Sequence, residues 1–546
     1  MRVLLFMALA LAAVPTHAWG AQGSAAGVPS TDSEQAVDLL AAQASRPELP
    51  ALWLLQDGGL SSQPGARPLA SGFTWERPGE VRVTLTLASA DATAASLVLG
   101  ASHVGFAGRS GRPFVEGPLF GGATRFLDAR PPVPGEELSA RVVRTAAGRV
   151  EVFLRGEPCF EGPGLEGSWG EVALRPRRDR MRVTAWSGEG LAPLPEPLGS
   201  ATAVWRSGVG ANTFRIPALI QAADGAVLAF CEARQGSSSD TGNIDLVLRR
   251  SEDGGRTWGP SQVLWDDGPN TCGNPCPVVD RRTGRILLLA TRNLGHDHES
   301  EIIAGTSEGT RTVWVLHSDD HGRTWSAPRE ITATAKEPSW TWYATGPGAG
   351  IQLQRGPHAG RLVTPCDHIE ADTRRYFSHA LLSDDGGATW RLGGTTPRDQ
   401  VNECEVAELE DGALLLNMRN YDRAQRTRQQ AVSRDGGETW TDQRHVPEQV
   451  EPICQASLRR LRWRSAEAPG VLLFTNPGSR DGRVALTLRA STDDGATWPR
   501  SWLLDPGPSA YSCLAALADG SILCLYEAGG YREIVCRRLE VRDLDL

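Results

Sequence analysis

The pattern Ser-x-Asp-x-Gly-x-Thr-Trp occurs five times in this chain, at residues 251–258, 318–325, 383–390, 433–440 and 491–498. The starts lie 67, 65, 50 and 58 residues apart, the length of a four-stranded antiparallel unit with its loops. Self-similarity at such a period marks a propeller or an array of units, not one compact sandwich. Each fixed position has a mechanical use. Asp can bond backbone N–H groups two residues on and close a turn, and Gly supplies a positive φ. Thr leads back into a strand, and Trp buries a large apolar face between neighbouring units. The boxes read as staples of a hairpin turn, not as a site.

At 546 residues the chain exceeds one typical core, so two domains and a processed segment are expected. A hydrophobic fraction of 40% with 22% charged residues describes a folded chain. The 60 glycines and 36 prolines suit turn-rich, all-β structure. A net charge of −9 argues against nucleic acid or an anionic membrane surface as partner. An anionic ligand must therefore be captured by local charge. Lys336 is the one lysine among 56 basic residues, so an arginine carries meaning only through its position.

Met1 and Arg2 precede an apolar run from Val3 to Val14 and then small residues as far as Ala21. This reads as a secretory signal over residues 1–20, giving a secreted or periplasmic protein. The run is too short to span a bilayer, and no later segment is long enough. Ten cysteines in an exported chain could pair, and Cys272 and Cys276 could close a small loop. Neither Cys-x3-Cys nor His296-Asp297-His298-Glu299 makes a metal site, so no metal or cofactor is expected.

Residues 21–50 read as a flexible segment with one short helix near 34–44. Over 51–190, short runs of alternating apolar and polar residues, such as 80–87, 149–154 and 181–186, predict an antiparallel β-sandwich. A Pro-rich link at 191–200 ends it. The remaining 201–546, divided by the mean box spacing, gives roughly six units: a six-bladed β-propeller in which one blade lacks a box.

Just after the link stands Phe214-Arg215-Ile216-Pro217. Joined to five downstream boxes, this resembles the exo-α-sialidase (neuraminidase) family, in particular its bacterial and lysosomal-type members, over about 201–546. The resemblance implies three arginines that clamp a substrate carboxylate. They are Arg215, Arg419 in Leu416-Asn417-Met418-Arg419-Asn420, and Arg483, with Arg480 and Arg489 as near competitors for the third place. A guanidinium offers permanent charge and planar paired donors, which suits a carboxylate better than lysine does.

A sugar whose anomeric carbon bears a carboxylate repels an anionic nucleophile, and sialidases use tyrosine instead. The resemblance assigns Tyr511 as nucleophile and Glu403 as the base that takes its proton. Glu405 and Glu408 are the structural alternatives to Glu403. It assigns Asp240, on the Ser/Gly-rich loop after Arg234, as the acid, with Asp245 as its competitor on a strand. Glu527 resembles the carboxylate that braces the first arginine, and Arg234 an additional arginine at the rim. Asn274 and Gln455 are implied as linings of the substrate pocket.

The implied function is a retaining exo-sialidase acting as a monomer on sialylated glycans, through a covalent tyrosyl intermediate. Competing readings are a non-catalytic propeller lectin, a trans-sialidase, and a hydrolase preferring a deaminated sialic acid. The sandwich reads either as a glycan-binding module or as a spacer.

Overall fold

The computed structural model describes residues 36–44, 53–63, 69–88, 95–100, 102–107, 110–165, 169–176, 180–193, 197–480, 482–544 and 546. The signal expected at 1–20 lies outside the described residues, as does most of 21–50.

Two antiparallel sheets form the part of the chain before residue 194. One carries Gly79–Leu87 between Glu137–Arg144 and Met181–Gly188; the other runs from Leu191–Pro193 through Leu69–Trp75 and Glu171–Arg175 to Gly122–Phe126. The period-2 pattern dictates the packing: Val81, Val83, Leu85 and Leu87 face inward and are buried, with Trp75, Trp186 and Val142, in one core. Each such side chain contributes about 1.5–3 kcal/mol by leaving water. Two boundaries differ from the sequence reading. Leu191–Pro193, assigned to the link, is an edge strand paired with Leu69–Trp75, because Leu191 completes the core. The helix Leu39–Ala44 is docked: Leu39 is buried in that core, and the Gln43 amide donates to the Ser71 carbonyl at 2.9 Å.

From residue 200 onward, strand pairing divides the chain into six antiparallel units of four principal strands. Units 1 to 4 begin with Thr213–Gln221, Thr271–Val279, Trp340–Thr345 and Val401–Glu408. Unit 5 begins with Ser457–Arg462, and the long strand Arg500–Ala516 ends unit 5 and begins unit 6. These first strands are the inner ones. Those of units 1, 2, 4 and 5 touch the next unit, unit 3 touches unit 4 through Ile351–Gln352 and Leu362–Glu370, and that of unit 6 touches Thr213–Gln221, so the units follow one another in a ring.

The boxes occupy the turn between third and fourth strands of units 1 to 5. Unit 6 explains its own missing box. Its fourth strand, Ser200–Arg206, arrives from the opposite end of the domain and pairs with Glu533–Glu540, so no turn exists there to staple. In the other five the bonding repeats. In unit 4 the Ser433 hydroxyl donates to Asp435 Oδ1, while the Thr439 N–H and hydroxyl donate to Oδ1 and Oδ2 at 2.9 and 2.6 Å. Two successive residues take positive φ, such as His321 at 63° and Gly322 at 85°, the backbone that a tight hairpin turn demands. Burial pushes the Asp253 carboxyl up, but hydrogen bonds from Thr257, Ser251 and Arg256 overcome it and hold it at about 2.

Candidate active site

The inner strands are not regular. Five of them lose register at a corresponding place: between Arg215 and Ala218, Gly273 and Cys276, Trp340 and Tyr343, Val401 and Cys404, and Ser509 and Ser512. The skipped residues include Ile216, Asn274, Trp342, Asn402, Glu403 and Tyr511, all of which line one cleft of about 160 Å³. A bulge leaves residues unpaired and re-aims their side chains, and bulges gather at barrel rims and beside active sites. Here they turn side chains out of the blades and into the central mouth. Two carry positive φ, Ile216 at 59° and Asn274 at 54°; for a β-branched residue this costs on the order of 1–3 kcal/mol.

Three arginines meet a phenol in this cleft. Arg215, Arg419 and Arg483 line it together with Tyr511. The guanidinium carbons of Arg215 and Arg483 lie 5.2 and 5.4 Å from the centre of the Tyr511 ring. Arg419 Nη1 donates to the Tyr511 hydroxyl at 2.9 Å and to Glu403 Oε2 at 2.6 Å. The hydroxyl in turn donates to Glu403 Oε1 at 2.6 Å. Glu403 and Arg419 face each other across the first hairpin of unit 4, where the bulge sits. Of the three candidates for the third arginine, Arg483 lines the cleft, with Nη1 donating to the Tyr531 hydroxyl at 2.9 Å. Arg489 instead donates to Asn476 at 2.9 Å.

Burial, then the charge of Glu403, push the Tyr511 hydroxyl well above the ordinary tyrosine value, while the three arginines pull the other way. The phenol is therefore neutral at rest. Its proton already points at a carboxylate, and the surrounding cations favour the phenolate once that proton leaves.

Glu527 is fully buried and organises this corner. It accepts from Arg215 Nε at 2.9 Å and Nη2 at 3.3 Å, and from the N–H groups of Ile216 and Tyr511 at 3.0 and 3.1 Å. One carboxylate thus fixes the first arginine and both bulged backbones.

Asp240 stands on the loop after Val227–Arg234 with its side chain 59% exposed, 2.7 Å from Arg234 Nη1 and 3.4 Å from Arg215 Nη1. Partial burial raises its carboxyl, but Arg234 and Arg215 outweigh this and hold it below the usual aspartate value. Arg234 is not a rim residue, contrary to the sequence reading. It is buried, held by both Nε and Nη2 to Glu232 at 3.0 and 2.7 Å, and it donates to the Ser238 carbonyl at 2.8 Å. It also lines the cleft and anchors the loop that carries Asp240.

Asn274 lines the cleft, with its Oδ1 accepting from Thr291 at 3.1 Å. Gln455 does not line it. Its amide donates to the Pro347 and Ser512 carbonyls at 3.0 Å each and accepts from the Ser512 N–H at 2.9 Å, so its capacity is spent on backbone below the site. The alternatives to the chosen carboxylates are likewise occupied. Glu405 accepts from Ser457, Leu458 and Ala349, Glu408 from the N–H groups of Gln354 and Arg355, and Asp245 from Gln235.

One further expectation is corrected. Cys272 and Cys276 form no disulfide; both are buried free thiols on the strand Thr271–Val279, on either side of its bulge. The His296 ring meets Glu308 at 2.9 Å, and His298 caps the short helix Glu299–Ala304. Among the described residues no group of three or more His, Cys, Asp or Glu is placed to hold a metal ion.

Several lining residues carry no sequence motif: Glu232, Glu299, Arg311, Trp342, Asp367 and Tyr421. Glu232 could have been found from its spacing, since it stands two residues before Arg234 on one strand face. Asp367 shows itself only as a charge inside the apolar strand Leu362–Glu370.

A family model described as a BNR repeat-like domain matches residues 225–524. A sialidase of Bacteroides fragilis is 32% identical over 409 residues, covering 69% of this chain and 74% of that protein. This chain belongs to the BNR-repeat sialidase family. A sialidase of Micromonospora viridifaciens is 38% identical over 364 residues, which is 62% of this family member but 54% of the relative, so the chain matches about half of that relative's length. Among solved structures, the Hadza microbial sialidase Hz136 is similar at 25% identity and a TM-score of 0.58, covering 91% of this chain and 99% of that one. The all-β propeller of this sialidase-family chain agrees with that likeness.

Proposed function

We propose that this protein is a retaining exo-α-sialidase that removes terminal α-linked sialic acids from glycoconjugates. The observation that carries the reading is the Tyr511 hydroxyl 2.6 Å from Glu403, in a cleft lined by three arginines. Arg215, Arg419 and Arg483 bind the sugar carboxylate and set the anomeric carbon beside Tyr511. As the phenol oxygen attacks, its proton passes to Glu403, and the bond from the anomeric carbon to the aglycone oxygen breaks. Asp240 supplies the proton that oxygen needs. For this the acid must be protonated, and an incoming sugar that covers Asp240 and separates it from the arginines would raise its pKa. Water, deprotonated by Asp240, then displaces the tyrosyl oxygen, which recovers its proton from Glu403. Two displacements at one carbon retain configuration.

A lectin has no use for a phenol hydrogen-bonded to a buried base, so this pair favours the enzyme. The test is hydrolysis of a fluorogenic α-sialoside with the first-formed product followed by NMR. The reading requires the α-anomer of the free sugar first; no turnover by the wild type would return the lectin, and transfer to an added sugar acceptor in place of water would make it a trans-sialidase. We further propose export through the N-terminal signal, action as a monomer, and a sandwich that holds the enzyme on glycan surfaces. Deleting the sandwich should then cost more turnover on mucin than on a soluble sialoside.

A further inference from the structure

We infer that the cleft selects a sialic acid whose C5 carries a hydroxyl in place of an acylamino group, an inference that rests on the exo-sialidase reading above. In the pyranose ring of a sialic acid, C5 lies directly across from the anomeric C2. Tyr511, which must meet C2, belongs to unit 6, and in the cyclic order of the units the one across the mouth is unit 3. Unit 3 supplies Trp342, Ala344 and Asp367 to the cleft, and the neighbouring unit 2 supplies Arg311. The reaction leaves Trp342, Asp367 and Arg311 unused, and with the small Ala344 they form the wall that the C5 substituent faces.

Apart from the single methyl of Ala344, that wall is polar where an acyl methyl would need it apolar. Its one aromatic face, Trp342, is already covered: the Arg311 guanidinium carbon sits 4.1 Å from the indole centre. Arg311 is buried, and its Nε has no hydrogen-bond partner among the described residues. Asp367 is buried as well. Its Oδ1 accepts from the Asn402 amide at 2.7 Å, while Oδ2 has no partner among the described residues. Burial first, then the charge of Glu403, push its carboxyl well above the usual value, with Arg311 and Arg419 opposing.

Leaving such groups unpaired in a buried site is costly. A hydroxyl both donates and accepts, so it satisfies either one at little volume. An acylamino group would have to push its methyl between Arg311 and Trp342. The chain's one lysine resists that displacement. Lys336 Nζ donates to the Thr310 hydroxyl, the Arg311 carbonyl and the Thr341 carbonyl at 2.7, 2.7 and 2.9 Å, tying the backbone of Arg311 to the residue before Trp342.

The experiment compares kcat/KM for two 4-methylumbelliferyl α-glycosides identical except at C5, one bearing a hydroxyl and one an acetamido group. The wild type should favour the hydroxyl sugar at least about tenfold. Arg311→Ala, which bares the Trp342 face, should move that ratio toward the acetamido sugar by a similar factor. Turnover of both sugars with the acetamido form equal or preferred would overturn this inference and leave the sialidase reading intact. Turnover of neither would overturn both. The wild-type ratio decides the matter even if the variant fails to fold.

Discussion

The outer turns and the inner strands of the propeller use repetition in opposite ways. At the outer turns the sequence repeats and so do the hydrogen bonds among its fixed residues: serine to aspartate, threonine to aspartate, five times over. At the inner strands the backbone irregularity repeats, while the residues it exposes are all different: Arg215 and Ile216, Asn274, Trp342, Glu403, Tyr511. A repeated residue at a repeated place solves a problem that every blade shares, namely closing its own hairpin. A unique residue at a repeated place answers to something asymmetric at the axis, a bound molecule. The loud sequence signal therefore marks scaffold, and the quiet positions carry chemistry.

The contrast breaks most visibly if inner-strand substitutions behave like outer ones. Tyr511→Phe and Glu403→Gln should each lower kcat/KM on a fluorogenic sialoside by about a thousandfold or more, with little change in thermal unfolding. Glu527→Gln should damage both properties, because that carboxylate neutralises a buried arginine and holds two bulged backbones. Activity should fall by about a hundredfold, and stability by roughly 3 kcal/mol in urea unfolding. A loss of stability with full activity would show that the brace does not position Arg215. At the outer turn, Asp435→Ala should cost about 1–2 kcal/mol with kcat/KM unchanged within about twofold. A tenfold drop in activity there would erase the distinction between the regions.

The smallest effect sharpens the comparison through pH. The Asp435 carboxyl is raised by burial but lowered further by Thr439 and Ser433, leaving it below its ordinary value. A group depressed in the folded state adds stability that is complete above its unfolded pKa of about 3.9 and lost as pH falls through the folded value. The stability gap between wild type and Asp435→Ala, followed by urea midpoints, should therefore be constant at neutral pH and shrink below about pH 4. A gap that held at pH 2.5 would mean the turn gains nothing from the charge.

What the sequence disclosed follows the same division. The boxes and their spacing announced a propeller, and alternation in 80–87 announced a sandwich strand, because both are local patterns. The arginines, Tyr511, Glu403 and Asp240 were legible through short motifs around them. Arg311, Asp367 and Trp342 were not, since each is one residue in an ordinary strand or loop and becomes part of a site only when units 2 and 3 meet the axis. Gln455 misled for a related reason: a polar residue beside the inner strand can serve the backbone as readily as a ligand, and here Ser512 and Pro347 use it fully. The free Cys272 and Cys276 show that proximity in sequence says little on a strand whose bulge sets them apart.

The central claim is that bulged inner strands of separate blades bring a neutral phenol and its base, beside three cations, to one anomeric carbon. It is tested most directly by trapping the enzyme with a 2,3-difluorinated sialic acid, which forms a glycosyl-enzyme readily and releases it slowly, and mapping the adduct by peptide mass spectrometry. The account predicts one sugar per chain, attached to the peptide that contains Tyr511 and absent from Tyr511→Phe. An adduct on Asp240, on Glu403 or on any other residue would contradict it.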